Sequence, residues 1–261
     1  LIVQQGAEAV IGLLVALVIP RLMGPEVYGK YALITSISLL FVLSSRLGFR
    51  EVIIRYVPQW REDPNALRSF FSSLVAIRAS IGLLAAILFF VIAWGWLRDF
   101  SVTTLALTAG TVVFRAISEL MMTLFVGLKR AGRWGTSSLL RRWLSFVLVV
   151  VGFWGMELEG AMLGWLLAEI FLWGLGLMWT RSFISRRALA PHITQMMPFL
   201  RFGLTYFLSS LFLSAFRRSG EVLVQILTDD YVEVGYFGLA YNVYLTAALV
   251  MPNLTLAFAP F

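Results

Sequence analysis

An all-α fold, a polytopic bundle of transmembrane helices, is predicted by three observations. The chain contains long unbroken apolar runs, it carries little charge, and its basic residues gather in alternate connections. Of 261 residues, 60% are hydrophobic and 13% charged, with a mean hydropathy of +0.86. That is the composition of a chain dissolved in lipid. Only helices and closed barrels satisfy their backbone in hydrocarbon, and these runs lack the alternation of barrel strands.

A crossing of about 30 Å of hydrocarbon needs roughly 20 apolar residues, and on that measure eight spans are predicted. The first, 1–19, is interrupted by Gln4, Gln5 and Glu8, which makes Glu8 a candidate cavity residue and argues against a cleaved signal peptide. The second, 31–47, follows a Pro- and Gly-containing connection. The third and fourth, 70–96 and 102–128, are separated by a short turn around Arg98 and Asp99. The fifth and sixth, 139–156 and 160–179, flank a turn holding Glu157 and Glu159. The seventh, 199–227, is read as one long helix, because Asp229 and Asp230 then supply the exposed turn before the eighth span, 235–251. The run begins abruptly at Leu1 and stops inside Ala-Phe-Ala-Pro-Phe, so a fragment of a longer chain is expected.

Arginines set the expected orientation. Arg50, Arg55, Arg61 and Arg68 lie between spans two and three, and Lys129, Arg130 and Arg133 between four and five. Arg181, Arg186, Arg187 and Arg201 lie between six and seven. The opposite connections are poor in positive charge, and the last carries only Asp229, Asp230 and Glu233. The positive-inside rule then places the arginine-rich connections and the amino terminus in the cytoplasm. This alternation accounts for most of the +7 net charge and sets aside nucleic-acid binding as the reading of a pI near 10.1. Trp94, Trp96, Trp134, Trp143, Trp154 and Trp179 fall near span ends and read as headgroup-level anchors.

Enzymatic chemistry finds little to work with. Cysteine is absent and His192 is the only histidine, which leaves no thiol nucleophile, no hydrolytic triad and no usual zinc or haem ligation. No G-x-x-x-x-G-K-[ST] loop occurs, so any energy input is expected from an ion gradient, the membrane potential or product removal. No cofactor is expected.

The chain repeats itself weakly. Glu26-Val27-Tyr28-Gly29-Lys30-Tyr31 opens the second span and Glu233-Val234-Gly235-Tyr236-Phe237-Gly238 opens the eighth, six spans later and in the same orientation. A parallel repeat of two six-helix lobes would give this spacing. Together with Ile19-Pro20-Arg21-Leu22-Met23-Gly24-Pro25, Leu47-Gly48-Phe49-Arg50-Glu51 and Ile54-Arg55-Tyr56-Val57-Pro58, these segments resemble polysaccharide transporters of the O-antigen flippase type. That family lies in the superfamily of multidrug extruders and lipid II flippases. The resemblance implies two lobes around a central, often cationic cavity that carries an anionic diphosphate-linked glycolipid across the inner membrane for cell-surface polysaccharide synthesis. On that reading residues 1–190 form one lobe and 191–261 open the second with two helices. The implied partners are a lipid-linked oligosaccharide, membrane lipids and the polymerase and assembly proteins of polysaccharide synthesis.

Charges inside the spans are the candidate site. A charge at a helix centre costs about 2.5–3.5 kcal/mol on insertion scales, so it usually faces a bundle interior or a cavity. Arg115 and Glu119 lie one turn apart in an apolar stretch, and Glu169 interrupts another. Arg217 and Arg218, with Glu221 a turn away, sit within the seventh span. Arg115, Arg217 and Arg218 are expected to attract phosphate, with Asn242 beside Tyr241 and Tyr244 positioned for sugar hydroxyls. Glu119, Glu169, Glu221 and Glu8 are expected to tune that attraction or carry a coupling ion. The alternative for each is a tether between helices, and for Asn242 an interhelical hydrogen bond. Arg78, Arg141 and Arg142 lie close enough to span ends to snorkel to the interface. The rival functions are a multidrug cation extruder on the same fold and a non-transporting membrane scaffold.

Overall fold

A computed structural model describes the backbone of residues 2–60, 62–185 and 193–258, and the side chains of 10–60, 62–130, 132–185, 196–208, 211–212, 215–216 and 219–245. All regular structure among them is helical: α1 (Ile2–Ser44), α2 (Phe49–Tyr56), α3 (Pro64–Trp96), α4 (Val102–Gly127), α5 (Ala131–Thr180), α6 (Ile193–Arg218), α7 (Gly220–Thr228) and α8 (Tyr231–Phe258), with short 3-10 turns at Val57–Trp60 and Arg181–Phe183. Four stretches among the described residues are long and apolar enough to cross a bilayer: Val10–Ser44, Pro64–Trp96, Val102–Gly127 and Gly132–Phe183.

Two of these are divided. A straight helix of α5's 50 residues would be roughly 75 Å long, more than twice a hydrocarbon core. It breaks at Met156 (φ −145°) and Glu157 (φ 49°), inside the turn predicted between the fifth and sixth spans. The arms return antiparallel. A Cβ on Gly152 would fall on the Gly160 carbonyl and one on Gly164 on the Leu148 carbonyl, so small residues let the backbones touch. In α1 the break is Gly24 (φ 72°, ψ 167°), followed by Pro25, which has no N–H to donate. The predicted long seventh helix is interrupted, since α6 and α7 meet at a bend at Ser219. Backbone bonds from Ser219 N to the Ala215 carbonyl and from Leu223 N to the Ser219 carbonyl, both 2.8 Å, carry the helical path across it.

Caps explain the starts of α3 and α4. Asp63 accepts from the N–H groups of Asn65 and Ala66 ahead of Pro64, and Ser101 Oγ accepts from Thr104 N. Helix α2 is short and amphipathic. It buries Phe49, Val52 and Ile53, and it lies so close to α4 that a Cβ on Gly127 would stand 2.9 Å from the Ile53 carbonyl oxygen. Many large apolar side chains on the outer faces of α3 and α5 are exposed, among them Leu84, Val91, Val151 and Trp154, as expected of lipid-facing surface. Trp94, Trp96, Trp143 and Trp154 share that exposure. Trp179 does not, because its ring packs edge-on against Phe125 at 5.9 Å.

The repeated segments meet. A Cβ on Gly29 would fall on the Tyr231 carbonyl, and one on Gly235 would fall on the Pro25 carbonyl. The second arm of α1 and α8 therefore touch backbone to backbone, each through its own glycine. Around this seam Lys30 Nζ stands 5.2 Å over the Tyr231 ring, and the Tyr231 hydroxyl donates to Asp99 (3.0 Å). Tyr231 lies just outside the predicted eighth span, where burial, reinforced by the Asp99 carboxylate, pushes its phenol up to about 12. It remains a donor throughout the physiological range.

Candidate functional site

Three arginines from three elements converge on one carboxylate. Arg46 makes a forked contact with Glu119, Nε to Oε2 at 3.1 Å and Nη2 to Oε1 at 3.0 Å. Arg115 Nε reaches Glu119 Oε1 at 3.3 Å from one turn earlier on α4, and Arg141 Nη1 on α5 reaches it at 3.5 Å. Behind them sits Glu169, fully buried on the second arm of α5. It lies 3.6 Å from Arg115 Nη1 and 3.7 Å from Arg141 Nη2, at ion-pair rather than hydrogen-bond distance. The Ser118 hydroxyl closes the network, donating to Glu169 Oε2 (3.1 Å) and accepting from Arg141 Nη2 (2.9 Å). The Arg115 guanidinium also lies 5.9 Å from the Trp165 ring centre.

Local backbone places these groups. Arg115, Ser118 and Glu119 share one face of α4 by their helical spacing. Arg46 belongs to no helix. It lies in the turn after α1, where Leu47 (φ 41°) and Gly48 (φ 72°) reverse the chain into α2, and its side chain reaches Glu119 on α4. A Cβ on Gly48 would fall on the backbone of Gly203, so α6 approaches this turn closely.

Two expectations are corrected. Arg78 does not snorkel, for it is 2% exposed. Its Nε donates to the Ala116 carbonyl at 3.0 Å and its Nη1 to Ser45 Oγ at 2.8 Å. Arg141 is a member of the central network rather than an interfacial residue, because its helix turns that face toward α4. Arg142 and Trp134 line the same cavity.

These side chains wall a cavity of 1520 Å³ bounded by α1 to α8, α3 contributing Arg78. Among the described residues, Arg46, Arg50, Arg78, Arg115, Arg141 and Arg142 face it with Glu51 and Glu119 as the acids, so this wall carries an excess of positive charge even with Glu169 behind it. An apolar side is formed by Ile11, Val15 and Ile19 of α1 together with Leu223 and Leu227 of α7. Drug-sized pockets measure about 300–1,000 Å³, so this one suits a larger ligand.

The remaining sequence candidates are dispersed. Asn242 lines the cavity while its Nδ2 donates to Tyr28 Oη at 3.0 Å, an interhelical bond between α8 and α1. Glu221 is buried in α7 against Gly238 of α8 and is not part of the cavity wall. The side chains of Glu8, Arg217 and Arg218 lie outside the described residues. Arg46 escaped the sequence reading altogether. Its only sequence signal is the Ser45-Arg46-Leu47-Gly48 turn at a span end, where a basic residue ordinarily marks an interface.

No curated protein and no solved structure matches the chain. A family model described as polysaccharide biosynthesis protein matches residues 1–260. With apolar helices of spanning length and a basic cavity between them, this membrane protein belongs to the polysaccharide biosynthesis protein family, whose members are transporters and flippases rather than enzymes.

Proposed function

We propose that the chain translocates a lipid-linked oligosaccharide of the polyprenyl-diphosphate type across the inner membrane. Arginines of the cavity hold the anionic headgroup while the prenyl tail stays in lipid, and two lobes, divided near residue 190, rock to alternate access. The observation that carries this is the excess of arginine around a 1520 Å³ cavity inside an apolar bundle. Guanidinium forks match phosphate oxygens, and the low-dielectric surroundings strengthen each contact. The apolar wall of Ile11, Val15 and Leu223 supplies a side along which the prenyl chain can lie. A multidrug cation extruder would require the opposite sign of charge. In this reading the arginine-rich connections and the amino terminus face the cytoplasm, and polymerase and assembly proteins receive the product on the other side.

Proteoliposomes holding a fluorescent lipid-linked oligosaccharide test this. With Arg46→Gln and Arg115→Gln combined, translocation is expected to fall by at least about tenfold, the scale of one lost charge-assisted contact. The protein should remain folded by thermal melting. Unchanged translocation contradicts the proposal.

A further inference from the structure

We infer that Glu119 is an internal competitor for the anionic cargo: its carboxylate holds the guanidinium groups that a diphosphate needs, and cargo enters by displacing it from Arg46. The inference rests on the flippase reading and names the residue that sets the cavity's charge selectivity.

The geometry distinguishes Arg46 from its neighbours. Its fork on Glu119 is the arrangement an arginine makes with phosphate, two parallel N–H···O contacts to one anionic group. Its side chain is 48% exposed, against 21% for Arg115 and 15% for Arg141. It projects from a turn rather than a helix, so it can swing without moving α1 or α4. Arg115 and Arg141 are held differently, since each also faces the buried Glu169. When Arg46 leaves Glu119, those two arginines keep two carboxylates between them and the network persists. Arg78 lies on the same wall and, among the described residues, donates hydrogen bonds to a carbonyl and a hydroxyl, while Glu119 attracts it only through space.

Selectivity follows. A neutral headgroup gains nothing by displacing Glu119, and a singly charged one merely exchanges one anion for another. A diphosphate carries more charge than the carboxylate it replaces and can span Arg46 and a second guanidinium. Glu119 thus acts as a threshold that admits multiply charged anions and discriminates against the rest.

The test uses the full chain in detergent micelles and calorimetric titration with two diphosphate probes, inorganic pyrophosphate and a short prenyl diphosphate, and with inorganic phosphate beside them. Glu119→Gln is expected to bind diphosphate at least about tenfold more tightly than wild type and to begin binding inorganic phosphate measurably, because the competing charge is gone. Tightening with both probes identifies the diphosphate group itself as the determinant. Tightening with the prenyl probe alone shows that the group is read only when attached to lipid. Glu119→Asp keeps the charge and shortens the reach to Arg46, so it is expected to tighten diphosphate binding by a smaller factor. Equal or weaker affinity in either variant, with an unchanged melting temperature, overturns the inference, as does the absence of binding by both. Failure of the flippase reading would look different: diphosphate binding that tightens on Glu119→Gln in a chain that translocates no lipid-linked oligosaccharide.

Discussion

Gly235→Leu is expected to unseat α8 from α1 and to cost more than about 3 kcal/mol of stability. Overpacking of a core typically costs about 1–3 kcal/mol when neighbouring side chains can shift. Here a side chain would meet the Pro25 carbonyl, which is backbone of the opposing arm and can move only with the whole helix. Gly29 presents the mirror-image constraint toward Tyr231, so Gly29→Leu is expected to behave alike. Separation of the helices would also break the Asn242–Tyr28 and Tyr231–Asp99 hydrogen bonds and lift Lys30 from the Tyr231 ring. Thermal melting in detergent measures the loss. Gly174→Leu is the control, since nothing lies within 4 Å of a Cβ placed there. If Gly235→Leu melted with the control, the close seam between the repeated segments would be refuted.

Glu169→Ala is expected to cost about 3 kcal/mol, near the low end for breaking a buried pair, because Arg115 and Arg141 keep Glu119 and partial contact with the cavity. Buried pairs contribute little net stability when intact, since desolvation offsets attraction, yet removal of one partner leaves the other charge uncompensated. Glu169→Gln is expected to cost less than Ala, because an amide oxygen can still accept from Ser118. Translocation should fall in both variants as Arg115 and Arg141 lose the group that orients them. Equal melting temperatures for the Ala variant and wild type would show that Glu169 does not anchor the arginines.

The backbone plan was legible because hydrophobic length and punctuation are local. Glu157 and Glu159 between two apolar runs marked the reversal in α5, and the Gly24-Pro25 pair marked the break in α1. The close helix contact at Gly160 and Gly164, by contrast, is not among the sequence expectations and emerges from the structure. The pairing of Arg115 with Glu119 was also local, being one helical turn, and Glu169 stood out as a lone carboxylate in hydrocarbon.

What escaped depends on direction rather than on depth. Distance from a span end suggested that Arg78 and Arg141 could reach water, but each points across the bundle, Arg78 to the Ala116 carbonyl and Arg141 to Ser118. Arg46 is 73 positions from Glu119, and the two meet only through the tertiary packing of the turn after α1 against α4.

The central claim is that positive charge in the cavity recognises the negative charge of the cargo's headgroup. The most direct measurement compares, in the same proteoliposomes, translocation of one oligosaccharide carried on a prenyl diphosphate with the same oligosaccharide on an uncharged lipid. At least about a hundredfold preference for the diphosphate is expected, the scale of two charge-assisted contacts, and it should shrink with Arg46→Gln and Arg115→Gln. Equal rates for the two lipids would contradict the account.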